Sequence, residues 1–242
     1  MKLKDGQSNE VAIKKEAGAV AAVNIEQFAD TGFDNVDSKK TLGGWLPSIY
    51  VDSYNRKWFR SNFGISMIDG INYKFYYKKD FTPQIPGGIY MIREDSNGNL
   101  VLATEQGLYK IILRNNDIIR VLKFTSKEGL TSKKIFSMEF TKEGHLIAGA
   151  SNGLNKINYF DTISVQQDLN VIPYSLKEGL VTSDHLNNSS FYDDDHSIWL
   201  GQSFNLLHYL PEKDIPNEVP PLLLLDEIKL NNESQNRWDI KS

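Results

Sequence analysis

Four 20-residue windows of this 242-residue chain superimpose without a gap, and they constrain the fold more than any other feature. They read IYVDSYNRKWFRSNFGISMI (49–68), IREDSNGNLVLATEQGLYKI (92–111), MEFTKEGHLIAGASNGLNKI (138–157) and SFYDDDHSIWLGQSFNLLHY (190–209). The anchors are Gly64, Gly107, Gly153 and Asn205. Glycine and asparagine tolerate positive φ best, so a left-handed turn residue is expected at all four. An aliphatic residue always follows: Ile65, Leu108, Leu154 or Leu206. Six positions earlier stands a strand former, Trp58, Val101, Ile147 or Trp199, and nine earlier a turn residue, Asn55, Gly98, Gly144 or His196. The pattern reads as three strands joined by two tight turns. Anchor spacings of 43, 46 and 52 residues fit one propeller blade per unit. A helical solenoid of similar period would need helical apolar spacing, which these windows lack.

The expected fold is therefore all-β: about four β-propeller blades over residues 45–216, each of four antiparallel strands. Four blades would close an unusually small ring, so an incomplete propeller is expected, with further blades or a second protomer as partners. Residues 1–44 carry no sustained period and read as a weak helix or a degenerate blade. The tetrapeptide Lys-Glu-Gly-Leu occurs twice, ending at Leu130 and Leu180, and each copy's glycine lies five residues after an aromatic, Phe124 or Tyr174. Gly129 and Gly179 lie 24 and 26 residues before their anchors, which makes each copy the seam between one blade's outer strand and the next blade.

Composition narrows the functions. A net charge of −4 gives no basic face for nucleic acid, so no nucleic-acid partner is expected. There are no cysteines, which excludes disulfides and thiolate metal sites. No apolar run reaches the ~20 residues of a membrane helix, and no signal peptide is visible behind Met1.

These windows resemble the two-component regulator propeller repeat, which runs roughly Asp-x-x-Gly-x-Leu-Trp-Ile-Gly-Thr, two variable residues and Gly-Leu. Residues 94–111 follow it closely. The fourth copy keeps Trp199–Leu200–Gly201 but has Asn205 for glycine, the first has Arg60 at the small-residue position, and the third has Ile147 for tryptophan. The tail NEVPPLLLLDEIKLNNE (217–233) is similar to the opening strand of the immunoglobulin-like module that follows such propellers, so 217–242 is expected to begin that module or a linker. The resemblance implies the extracytoplasmic sensor region of a bacterial histidine kinase, often a hybrid one, or of a related transcriptional regulator. Many such regions sense glycans or their breakdown products. The implied partners are an oligosaccharide or other small ligand and a downstream signalling domain. Fold alone leaves two other readings open: an enzyme on a propeller scaffold, such as a lyase, and a protein-binding platform.

No motif for catalysis stands out. None of the four histidines has zinc-motif spacing, and there is no Walker sequence or nucleophile elbow. The chain is expected to be noncatalytic, without metal or cofactor. The acidic run at 193–195 could hold a hard cation, but it aligns with DSYN and DSNG, where aspartate satisfies turn amides. The aromatic and basic run YKFYYKK (73–79) reads as an outer strand with one wet face.

Blade topology places binding. The turn before each anchor and the connection between blades fall on one face of the disc. Variable polar loops on a repeated frame are where ligands bind. The candidate residues are Asn62, Gln106, Asn152 and Gln202 from the first loop family, and Lys133, His185 and Asn187 from the second.

Overall fold

In the computed structural model, residues 48–181, 184–215, 228–230 and 233–235 are described. They form an all-β array of propeller blades. The first blade is β1 (Ile49–Val51), β2 (Lys57–Ser61), β3 (Gly64–Asp69) and β4 (Asn72–Tyr77). The second is β5 (Ile89–Glu94), β6 (Leu100–Thr104), β7 (Gly107–Arg114) and β8 (Asp117–Phe124). The third is β9 (Ile135–Phe140), β10 (Leu146–Ala150), β11 (Gly153–Ile157) and β12 (Val171–Tyr174). The fourth is β13 (His185–Tyr192), β14 (Ile198–Gln202) and β15 (Leu206–Tyr209). Every pairing is antiparallel between sequence neighbours. A short hairpin, β16 (Ile228–Leu230) and β17 (Glu233–Gln235), lies in the tail. Most of the tail, like the segment before residue 48, is outside the described residues.

The blades hold together face to face. Strand β6 is buried at all five positions, and its side chains alternate between two cores. Leu100 and Leu102 pack with Trp58, Ile65 and Met67 of the first blade. Val101 and Ala103 pack with Ile135, Met138 and Leu146 of the third. Strand β10 repeats this: Leu146 and Ala148 face the second blade, while Ile147 joins Ile198 and Leu200 of the fourth. A strand covered on both faces needs no polar alternation, which explains the near-continuous apolar runs LVLA and LIAGA.

Each blade's first turn has one hydrogen-bond pattern. The turn's first residue, Asp52, Asp95, Thr141 or Asp193, gives its amide to the carbonyl four residues on, and its carbonyl accepts from the amide three residues on. That third residue is left-handed in all four copies: Asn55, Gly98, Gly144 and His196, with φ of 62°, 77°, 82° and 70°. Asp193 thus occupies the turn position. Trp58 Nε1 donates to Asp52 at 2.7 Å, and Trp199 Nε1 to Asp193 at 3.2 Å. In the second blade Val101 replaces tryptophan, and Lys110 reaches Asp95 at 2.8 Å instead. In the third, Thr141 and Ile147 have lost carboxylate and indole together.

The anchor expectation needs correction. Gly64, Gly107 and Gly153 have φ of 154°, 112° and 133°, but Asn205 is not in the left-handed region. A Cβ on any of the three glycines would collide with the carbonyl oxygen of Tyr76, Phe124 or Tyr174 on the fourth strand. The fourth blade has only three strands among the described residues, not the four expected. No fourth-strand carbonyl crosses Asn205 among the described residues, so asparagine meets no such collision there.

A candidate ligand site on the loop face

The two loop families do converge. Thr131 Oγ1 donates to Asn152 Oδ1 at 3.1 Å, and Asn152 Nδ2 donates to the Thr131 carbonyl at 2.8 Å. Ser132 and Ser151 hydroxyls meet at 2.6 Å. The seams also match: Phe124 and Tyr174 end the outer strands β8 and β12, and Gly129 and Gly179 have φ of 109° and 100°.

The sequence candidates separate on this face. Asn152 is spent on holding the seam. Lys133 is exposed and Gln106 half-buried, and their neighbours Lys134 and Glu105 come within 3.9 Å of each other. His185 and Gln202 are buried together, 5% and 6% exposed, with ring Nε2 and amide Nε2 3.5 Å apart. Burial pushes His185 down to about 4, with Asp184 pulling weakly the other way. Its Nδ1 is buried without a partner. Asn62 and Asn187 also come together. They line a cavity of about 280 Å³ with Arg60, Gly88, Ile89, Tyr90 and Asn188.

Strand irregularities build this cavity. In β5 the register shifts by one at Tyr90, and in β9 by one at Phe136; the two extra aromatics pack on each other with centroids 5.3 Å apart. In β13 the shift lies between His185 and Ser190 and accommodates a longer insertion. A bulge frees residues from the ladder and re-aims their side chains. Here it carries Asn187 and Asn188 toward the first blade, where Ser48 Oγ donates to Asn188 Oδ1 at 3.1 Å. Asn188 takes a φ of 52°, which asparagine tolerates.

Arg60 also lines this cavity. It is 7% exposed, and its Nη1 donates to the Ile89 carbonyl at 2.7 Å. Its Nε is buried without a partner. Burial lowers its pKa from the ordinary guanidinium value, while Tyr90 acts to raise it. Burial likewise raises the Tyr90 hydroxyl, with Glu105 adding to the rise and Arg60 opposing it. Arg60, Tyr90 and Asn188 were not among the sequence candidates, although Arg60 carried a signal. The equivalent positions are Ala103, Gly149 and Gly201. At Gly149 a Cβ would sit 2.7 Å from the His185 ring, so that position has no room for a side chain.

The described residues thus define a propeller-blade chain with a polar cavity on its loop face. No known protein family and no curated protein matches the sequence. Solved structures do match in fold. The extracellular domain of a protein assigned to a hybrid two-component system of B. thetaiotaomicron superposes with a TM-score of 0.65 at 18% identity, over 86% of this chain and 28% of that one. A second such domain from B. thetaiotaomicron gives 0.51 at 19% identity, over 72% and 23%. PorZ, a bacterial surface component of the type-IX secretion system of Porphyromonas gingivalis, gives 0.51 at 12% identity, over 68% and 26%. The chain spans less than a third of the length of each of these proteins. No helix among the described residues is long and apolar enough to cross a membrane.

Proposed function

We propose that this chain is part of the extracytoplasmic sensor propeller of a two-component signalling protein, and that it binds a small hydroxyl-rich ligand, such as a glycan fragment, on its loop face. A downstream kinase or transcription module would take up the signal. The observation that carries this reading is the cavity itself, where Asn62 of the first blade meets Asn187 and Asn188 of the fourth. Three side-chain amides, each donor and acceptor, suit vicinal hydroxyls, and the half-buried Tyr90 ring offers an apolar face. The likeness to extracellular domains assigned to two-component systems supports the sensor role.

A ligand shifts a conformational equilibrium only through unequal affinity for the two states. One that spans Asn62 and Asn187 favours the state in which first and fourth blades are held together, as the Ser48–Asn188 bond now holds them. Thermal-shift screening of the chain against mono- and oligosaccharides tests this reading. At least one saccharide should raise the midpoint of the native chain and leave that of an Asn62→Ala, Asn187→Ala double variant unmoved. Equal rises in both proteins, or none in either, would count against it.

A further inference from the structure

We propose that the ligand carries an anionic group, a carboxylate or sulfate on a sugar, that pairs with Arg60. This rests on the reading of the cavity as a ligand site and adds the charge of what enters it. The other two arginines of the first two blades' inner turns and strands are paired within the protein. Arg56 Nε meets Asp52 at 2.5 Å, and Arg93 holds Glu139 through both Nε and Nη2 at 2.8 and 2.6 Å. Arg60 is as buried as Arg56, yet no carboxylate among the described residues pairs with it. Among the described residues its side chain makes one hydrogen bond, to a backbone carbonyl, and a buried Nε–H is left over.

A guanidinium taken out of water without a counter-charge is costly, and the cost is recovered when a carboxylate or sulfate meets its planar fork of donors. The residue is also out of pattern. Three blades keep alanine or glycine at this position, and the first blade alone carries a cation there, which lines the cavity. Other charges near the rim are already committed. Glu105 accepts from the Gly88 amide at 3.3 Å and lies 3.9 Å from Lys134, while Lys78 donates to the Gly87 carbonyl. Asn62, Asn187 and Asn188 line the same cavity and can take hydroxyls of the same sugar.

Isothermal titration on the 242-residue chain tests the inference with four probes: trigalacturonate, its carboxyl-reduced trisaccharide, galactose 6-sulfate and galactose. At least one acidic probe should bind tenfold or more tightly than its neutral counterpart. Arg60→Gln should abolish that preference. Should Arg60→Gln fail to fold, added sodium sulfate must compete with the acidic probe on the native chain better than sodium chloride at equal ionic strength. Neutral probes that bind as well as acidic ones, with binding weakened by Asn187→Ala, would overturn the anion assignment and keep the cavity reading. Binding of none of the four would overturn the anion assignment; the wider saccharide screen then decides the cavity reading separately.

Discussion

Gly107 and Asn205 occupy the same place in the repeat, and their neighbours make opposite demands. A side chain at Gly107 must take a φ of 112° and press its Cβ onto the Phe124 carbonyl. Gly107→Asn should therefore cost about 3 kcal/mol or more in urea unfolding. Asn205→Gly should change stability by less than about 1 kcal/mol, because no strand crosses it among the described residues. His185 gives a second residue-level test. Burial lowers its folded value to about 4 from an ordinary 6.5. The unfolded chain then binds the extra proton between those values. The neutral imidazole's contribution is whole above pH 6.5 and is lost as pH falls through 4, a total on the order of 3 kcal/mol. His185→Asn should flatten that acid limb of the stability profile.

At the scale of elements, the hairpin turns explain which departures the repeat tolerates. Asp95 accepts from the amides of Asn97 and Asn99, from Asn99 Nδ2 and from Lys110 Nζ. Lys110 has only Asp95 and the carbonyls of Phe160 and Asp161. Removing the carboxylate strands a buried ammonium, whereas removing the ammonium leaves a carboxylate with three donors. Asp95→Ala should thus cost about 3–5 kcal/mol and Lys110→Met clearly less, read from denaturant midpoints. Strand order, turn positions and seams were legible from spacing alone, because Asn55, Gly98, Gly144 and His196 share one backbone conformation. That no outer strand pairs with β15 among the described residues was not legible in the sequence, whose repeats predict four strands per blade. Asn62 and Asn187 could be named from loop variability. Their meeting, and the roles of Tyr90 and Asn188, could not, since bulges in β5 and β13 shift registers that repeat alignment treats as regular.

Across the whole molecule, two opposite devices join blades. On one side, Asp214 accepts from Lys156 at 2.5 Å, Tyr174 at 2.5 Å and Tyr209 at 2.6 Å, so the chain leaving β15 is fastened to the third blade. Burial opposes the Asp214 charge, but these donors outweigh it and lower its pKa. On the loop face, first and fourth blades meet through the Ser48–Asn188 bond beside the cavity. Under the proposed sensor role, the first contact would persist and the second would respond. The central claim is that a ligand enters between Arg60, Asn62 and Asn187, and hydrogen–deuterium exchange with and without trigalacturonate tests it most directly. Slower exchange should appear at 60–62, 88–90 and 186–189. Protection confined to the opposite face, around Glu143, His145 and Ser197, or none at saturating probe, would contradict it.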